Sequence, residues 1–440
     1  MEIKLTLLIV FFAVMVGVGL YSRKHTASVD GFVLGGRSVG PWLTAFAYGT
    51  SYFSAVVFVG YAGQFGWKYG IASTWIGIGN AVIGSLMAWV VLGRRTKVMT
   101  QHLGSKTMPD FFGERYGSKA LKIMASAIVF AFLVPYTASI YNGLSRLFEM
   151  AFHIPYAYCV AGMAVFTGIY VILGGYMATA INDFIQGIIM LIGIVAVIAA
   201  VLSGQGGFLE AIRKMAEIPS NLPVTMGQPG AFTSFFGPDP WNLLGVIILT
   251  SLGTWGLPQM IGKFYAIKDE KSINTGTVIS TLFACVVAGG SYFLGGFGRL
   301  FDSSEIYDET GSVVFDSIVP HMLSSLPDLL IGIVVVLVLS ASMSTLASLV
   351  LTSSSTLTLD FLKDNVMKNM SEKKQIRWMQ FLVVFFIGLS VWIALDPSTF
   401  IAQLMGISWG ALAGAFLAPF LYGLYLSLIH ISEPTRPLYI

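Results

Sequence analysis

Apolar runs of about 20 residues, joined by short polar links, follow one another along the whole chain. A helix needs about 20 apolar residues to cross a hydrocarbon core about 30 Å thick. By that rule eleven spans run near 3–21, 41–66, 70–92, 120–148, 155–175, 181–203, 241–265, 274–298, 327–359, 378–394 and 400–427. The pattern predicts an all-α protein that crosses the membrane many times. Arg23 and Lys24 follow the first run with no small-residue cleavage site before them, so it reads as a retained span. After Leu428 the periodicity stops, and residues 428–440 read as a non-native tail.

Polar positions inside the runs single out three spans and one carboxylate. The second run carries Gly49-Thr50-Ser51, Ser54 and Gly60; the seventh carries Thr250-Ser251-Leu252-Gly253-Thr254-Trp255-Gly256-Leu257-Pro258. Gly, hydroxyls and Pro at mid-membrane depth predict two broken helices. Five spans separate their starts, and an odd number per repeat turns the second repeat over in the membrane, the pattern of an inverted-repeat transporter. In the ninth run Ala341, Ser344, Thr345, Ser348, Thr352 and Ser355 fall on one helical stripe. That stripe suits either a packing seam or an oxygen-lined cation site. Asp183 is the one carboxylate set within an apolar stretch, either as a functional charge or as an N-cap of the span beginning there.

Composition agrees with lipid as the main solvent. Of 440 residues, 55% are hydrophobic and 11% charged, where soluble domains carry about 25% charged. A net charge of +3 is too small for a nucleic-acid footprint. Two cysteines far apart and five scattered histidines give neither a disulfide framework nor a zinc site.

Basic residues favour alternate connections. One side holds Arg23, Lys24, Arg37, Arg94, Arg95, Lys97, Lys106, Arg115, Lys119, Lys263, Lys268, Lys271 and the cluster from Lys363 to Arg377; the other holds Lys4, Lys68, Arg213, Lys214 and Arg299. A bias of roughly three to one places the N-terminus outside. The outer stretch from Arg299 to Pro327, with Asp302, Glu305, Asp308, Glu309 and Asp316, reads as a solvated acidic loop. No GxxxxGK[ST], HExxH or GxSxG is present, so neither an ATP-driven pump nor a membrane hydrolase is expected.

Three motifs carry a family likeness: Leu34-Gly35-Gly36-Arg37-Ser38-Val39-Gly40-Pro41, Gly174-Gly175 followed by Asn182-Asp183, and Ala341-Ser342-Met343-Ser344-Thr345-Leu346. Together they resemble the sodium/solute symporter family, the group of the proline, pantothenate and sugar symporters with the LeuT-type core. The resemblance implies a five-plus-five inverted repeat preceded by one extra helix. It divides a single transmembrane domain, 1–427, into an extra helix and loop (1–40), a first repeat (41–203), an outer loop (204–240) and a second repeat (241–427).

The resemblance also implies sodium-coupled uptake of a small organic solute by alternating access at the cell (cytoplasmic) membrane. Sodium is then the coupling ion, there is no cofactor, and the chain works as a monomer. The sodium ligands would be the carbonyls of Thr50, Phe53 and Ala341 with the hydroxyls of Ser344 and Thr345. Some relatives hold a second ion at the counterparts of Asp183, Ala347 and Ser348; Ala347 offers no hydroxyl, so one sodium is expected here, with Asp183 and Ser348 the residues of any second site.

Substrate would lie between the broken helices, against Ser54, Val57, Tyr136, Thr254, Trp255 and Pro258. Tyr52, Val56, Thr250 and Thr254 replace the acid and aromatics around proline in its symporter, while Val57 and Ile76 leave a sugar's hydroxyls unmatched. The run Gly63-Gln64-Phe65-Gly66-Trp67-Lys68-Tyr69-Gly70 and Gly256-Leu257-Pro258 look closer to the pantothenate symporter, so an organic acid or amino-acid-like solute is expected. Two other classes stay open: a solute-binding membrane sensor or channel without coupled transport, and a proton-coupled symporter using Asp183.

Overall fold

The computed structural model describes residues 2–395 and 401–426, so the proposed tail at 428–440 lies outside the described residues. The described chain is helical, with two isolated bridges, Val39 with Ile267 and Tyr307 with Val313. Among the described residues, eight helices are long and apolar enough to cross a membrane, and Pro240–Gly256 with Pro258–Ala266 forms a further, bent pair.

Two of the eight are too long for one crossing. Val56–Leu103 has 48 residues and Tyr156–Gly204 has 49, and at about 1.5 Å per residue each would span more than twice a bilayer core. Their contacts show that both turn back. Gly49 lies against Phe283 and Gly66 against Gly295, so the chain climbs the helix Glu270–Gly295. Beyond Gly70 it descends the same helix, because Gly77 meets Gly289, Ser85 Oγ lies 2.9 Å from Ser280 Oγ, and Trp89 meets Gly276. The helix Tyr156–Gly204 climbs and descends the first span in the same way. Phe12 stacks on Phe166 and Gly19 meets Tyr170 and Gly174; past Gly175, Asn182 and Gln186 return to Met15.

The two reversals share a backbone geometry: φ 60°, ψ −141° at Gly70 and φ 52°, ψ −149° at Gly175. That region is essentially closed to residues with a Cβ. Dividing both long helices and counting the bent pair once gives the eleven crossings that the apolar runs predict.

The ninth span, Asp328–Thr356, is the core of the bundle. Of its most apolar window 78% is buried in protein, against 28% for the first span, which therefore lies at the lipid-facing edge. Both expected breaks are present, the first at Ser54 among the positions named for it. Gly49, Thr50 and Ser51 are inside the helix Pro41–Tyr52, which ends where Phe53 turns extended at φ −98°, ψ 113°. The chain resumes as a π-helical stretch, Val56–Tyr61, after Ser54 O accepts from the Val57 and Phe58 amides. In the seventh span, Leu257 at φ −85°, ψ 118° makes a 50° bend before Pro258 opens the next helix.

The outer connections are packed more closely than the acidic-loop reading expects. The Arg299 guanidinium lies 3.8 Å from the Phe232 ring and 4.6 Å from the Trp67 ring. It donates to Trp67 O at 2.7 Å and Asn221 Oδ1 at 2.9 Å. Burial lowers its pKa to about 10, so the charge survives at neutral pH and ties the 204–240 loop to the second span. Asp302, Glu305, Asp308 and Glu309 are exposed, as expected, but Asp316 is buried in the helix Phe315–Ser324. Its carboxylate accepts from the Ile401 amide at 3.1 Å, at the start of the last helix, Ile401–Tyr425.

Burial raises the Asp316 pKa, and the Ile401 amide and Arg146 oppose the shift without reversing it. The folded state therefore binds this proton more tightly than the unfolded one. The resulting stability is full below the unfolded carboxylate range and is lost as pH rises through the folded pKa. Asp316→Asn keeps an acceptor for Ile401 without the buried charge. It should raise the apparent unfolding temperature at neutral pH and narrow its gap to mildly acidic pH. A lower neutral-pH value would mean that attraction to Arg146 outweighs burial.

Candidate functional site

Five oxygens converge where the broken second span meets the ninth. A helix leaves its last four carbonyls without intrahelical partners, and the stop at Tyr52 frees those of Thr50 and Phe53 toward the ninth span. There the Ser344 hydroxyl lies 3.0 Å from Thr50 O and 3.0 Å from Ala341 O. The Thr345 hydroxyl lies 3.1 Å from Thr50 O, 3.3 Å from Phe53 O and 3.1 Å from Ala341 O. All five residues are buried. Ser342 Oγ accepts from the Ala55 amide at 3.2 Å, which pins the far side of the break to the same helix. The cluster holds only neutral oxygens, and hard cations are the ligands that such a donor set suits.

The rest of the hydroxyl stripe continues away from this cluster. Ser348, Thr352 and Ser355 line a narrow cavity with Tyr176, Pro258, Gln259 and Lys263 that extends to Lys106 and Thr107, on the basic side of the protein. The stripe is thus both a seam against the second span and one wall of this cavity.

Asp183 is not an N-cap. The helix resumes after Gly175, which leaves Asp183 about two turns inside it, 1% exposed. Facing it is Lys263, which charge counting assigns to a loop and which is 2% exposed on the helix Pro258–Ala266. Lys263 Nζ stands 3.6 Å from Asp183 Oδ2, donates to Ser348 Oγ at 3.0 Å, and lies 5.2 Å from the Tyr176 ring. Ser348 Oγ in turn is 2.9 Å from Ser51 Oγ. Sequence reasoning missed Lys263 because it ends an apolar run. The available signal was Asp183 itself, since a carboxylate at membrane depth calls for a cation.

The six substrate-side candidates fall into separate groups. Ser54 and Val57 are buried at the restart of the second span, and Ser54 Oγ accepts from the Val56 amide at 3.3 Å. Tyr136 is buried on the fourth span, Lys119–Phe152, edge-on to Trp409 at 6.1 Å. Thr254 and Trp255 turn their polar atoms to the third span. The Thr254 hydroxyl approaches Gly84 O at 3.3 Å and Ser251 O at 2.8 Å, and Trp255 Nε1 donates to Ile83 O at 2.9 Å. Gly84 O and Ile83 O belong to the π-helical stretch Asn80–Met87 of the third span, whereas Ser251 O lies one turn back on the seventh span itself. Pro258 lines the narrow cavity beside Lys263.

The family model described as "Sodium:solute symporter family" matches residues 32–430. The chain is 30% identical to sodium/proline symporter 2 of Staphylococcus saprophyticus over 435 residues, covering 95% of this chain and 80% of that protein. It is 31% identical to the sodium/proline symporter of Staphylococcus aureus over 434 residues, covering 94% and 80%. Among solved structures, a Na⁺-coupled sialic acid symporter in a substrate-bound outward-open state matches with a TM-score of 0.78 at 14% identity, over 96% of this chain and 87% of that one. A nucleobase-cation-symport-1 family transporter matches with a TM-score of 0.51 at 11% identity, over 89% and 79%. At these identities the structural matches speak to fold.

Proposed function

The chain belongs to the sodium:solute symporter family, and from that premise we propose that one sodium ion binds at Thr50 O, Phe53 O, Ala341 O, Ser344 Oγ and Thr345 Oγ1. The protein is a multi-pass membrane transporter that couples solute uptake to sodium, and not an enzyme. The observation that carries the ion assignment is the convergence of five buried oxygens within 3.0–3.3 Å contacts across two helices. Oxygens so spaced can share one centre at about 2.3–2.6 Å, the distance of calcium-sized cations, a size close to that of sodium.

The ion would hold the broken second span against the ninth, because its ligands come from both. It can shift the conformational equilibrium only by as much as it prefers one state, and a site built from two helices supplies that preference. The repeats 41–203 and 241–427 then rock about the site, between an outside that includes the N-terminus and a cytoplasm faced by the basic loops. One ion suffices energetically. About 2.3 kcal/mol from 100 mV and about 1.4 kcal/mol from a tenfold sodium gradient together support roughly 500-fold accumulation of a neutral solute. Both broken helices and the whole oxygen set belong to one chain, so a monomer is a sufficient transport unit.

The solute is an organic acid or amino-acid-like molecule, bound between the broken helices by Ser54, Val57, Tyr136, Thr254, Trp255 and Pro258. Relatives named sodium/proline symporter over most of the chain support that class. Apolar Val57 and the committed hydroxyl of Thr254 argue against a polyhydroxylated solute.

Thermal stability of the purified protein tests this directly. Proline, pantothenate and small carboxylic and amino acids are screened in Na⁺ and in K⁺, since binding to the folded state raises apparent stability by mass action. The expected result is stabilisation by Na⁺ alone, with a further shift for one solute class only when Na⁺ is present. An equal solute shift in K⁺ would remove the coupled site.

A further inference from the structure

We propose that the Lys263 ammonium is a built-in cation: it fills, on a tether, the place that Asp183, Ser348 and Ser51 would otherwise offer to a second small cation, and so holds the chain to one mobile ion. The inference rests on the sodium reading for what the mobile ion is, but its geometry lies outside the five-oxygen cluster.

The Asp183 carboxylate is 1% exposed, and neither oxygen accepts a hydrogen bond within 3.5 Å among the described residues. A buried charge in that position demands a counter-charge, because removing one partner of a buried pair leaves an uncompensated ion. Lys263 supplies it from 3.6 Å, beyond the 2.7–2.9 Å of a tight charge-assisted bond. The ammonium is better held by Ser348 Oγ at 3.0 Å, itself 2.9 Å from Ser51 Oγ, with the Tyr176 ring 5.2 Å away. Around Nζ there is thus a carboxylate and a hydroxyl, with a second hydroxyl behind the first, which is the donor set a small hard cation takes. A lysine ammonium is a compact point charge, so it can stand where such an ion would.

Location gives the arrangement its consequence. Ser51 adjoins Thr50 on the second span, and Ser348 lies one turn beyond Thr345 on the ninth, so the two polar sites share both walls. Lys263 comes instead from the second half of the seventh span, after the 50° bend. The charge compensating Asp183 therefore travels with the protein and never leaves with the solute.

Equilibrium binding of ²²Na⁺ to the purified full chain tests the idea by counting ions. Wild type should bind one sodium per chain, Lys263→Gln two, and the doubly neutral Asp183→Asn/Lys263→Gln one. A Lys263→Gln protein that folds only in sodium would equally support the proposal. It is overturned if wild type binds two, if folded Lys263→Gln still binds one, or if Lys263→Gln fails to fold at every sodium concentration while the double variant folds. A wild-type count of zero with a gain of one in Lys263→Gln would sink the five-oxygen site and leave this inference standing.

Discussion

Thr345→Ala should raise the sodium concentration for half-maximal stabilisation by about 10–100-fold, the equivalent of about 1.4–2.8 kcal/mol. A hydrogen-bond partner of a charged group is worth about 1.5–3 kcal/mol, and an oxygen removed from an ion's shell belongs in that range. Thr345 is the more sensitive of the two hydroxyls, because its Oγ1 approaches the carbonyls of Thr50, Phe53 and Ala341, whereas Ser344 Oγ approaches only those of Thr50 and Ala341. Thr345→Ser keeps the oxygen and should stay close to wild type; Thr345→Val keeps the volume and should behave like alanine. Solute affinity measured at fixed sodium should fall with the ion and recover at saturating sodium. A wild-type sodium response in both Thr345→Ala and Ser344→Ala would move the ion elsewhere.

The crossings were legible because lipid forces them: every span must present about 20 apolar residues, and that pattern survives any arrangement of neighbours. The reversals fall at Gly70 and Gly175, where the apolar runs 41–66 and 70–92, and 155–175 and 181–203, meet. The links there are only a few residues long, and each turns on a glycine with positive φ. Of the interrupting positions read in the second span, Ser54 lies in the break and Gly49-Thr50-Ser51 does not. The Thr50 and Ser51 hydroxyls bond back to Phe46 O and Ala47 O inside the helix. The helix instead stops at Phe53, where the Ala55 amide turns to Ser342 across the bundle. That is a tertiary contact with no local signature.

The hydroxyl stripe on the ninth span was readable as a stripe, because a helix puts positions three and four apart on one face. Its division into a cluster at Ala341, Ser344 and Thr345, a lysine contact at Ser348 and a cavity wall at Thr352 and Ser355 depends on neighbours that lie far away in sequence. Lys263 shows the limit most clearly. Counting basic residues treats each as a loop charge, and the count cannot tell an exposed Lys268 from a Lys263 folded inward against Asp183.

Gly66→Ala should prevent assembly of the bundle altogether. A Cβ at Gly66 would stand 2.0 Å from Gly295 O and 2.1 Å from its carbonyl carbon, and a Cβ at Gly295 would stand 2.1 Å from Ala62 O. The clash is reciprocal and made with backbone, so no side chain can turn aside to relieve it; the eighth span would have to retreat from the second. Close backbone approach through small residues is how helices associate in lipid, where no hydrophobic force draws them together. This contact also fixes the restarted half of the second span, which begins just past the freed carbonyls of Thr50 and Phe53. Gly17→Ala is the matched control, since nothing lies within 4 Å of a Cβ there and the position is exposed on the first span. In a helix alanine is favoured over glycine by up to about 1 kcal/mol, so Gly17→Ala should be neutral or slightly stabilising. Detergent-extracted protein on size-exclusion chromatography, followed by thermal unfolding, separates the two. A monodisperse Gly66→Ala that unfolds at the wild-type temperature would mean that the second and eighth spans do not pack backbone to backbone, and that the ion site is held by its contacts to the ninth span alone.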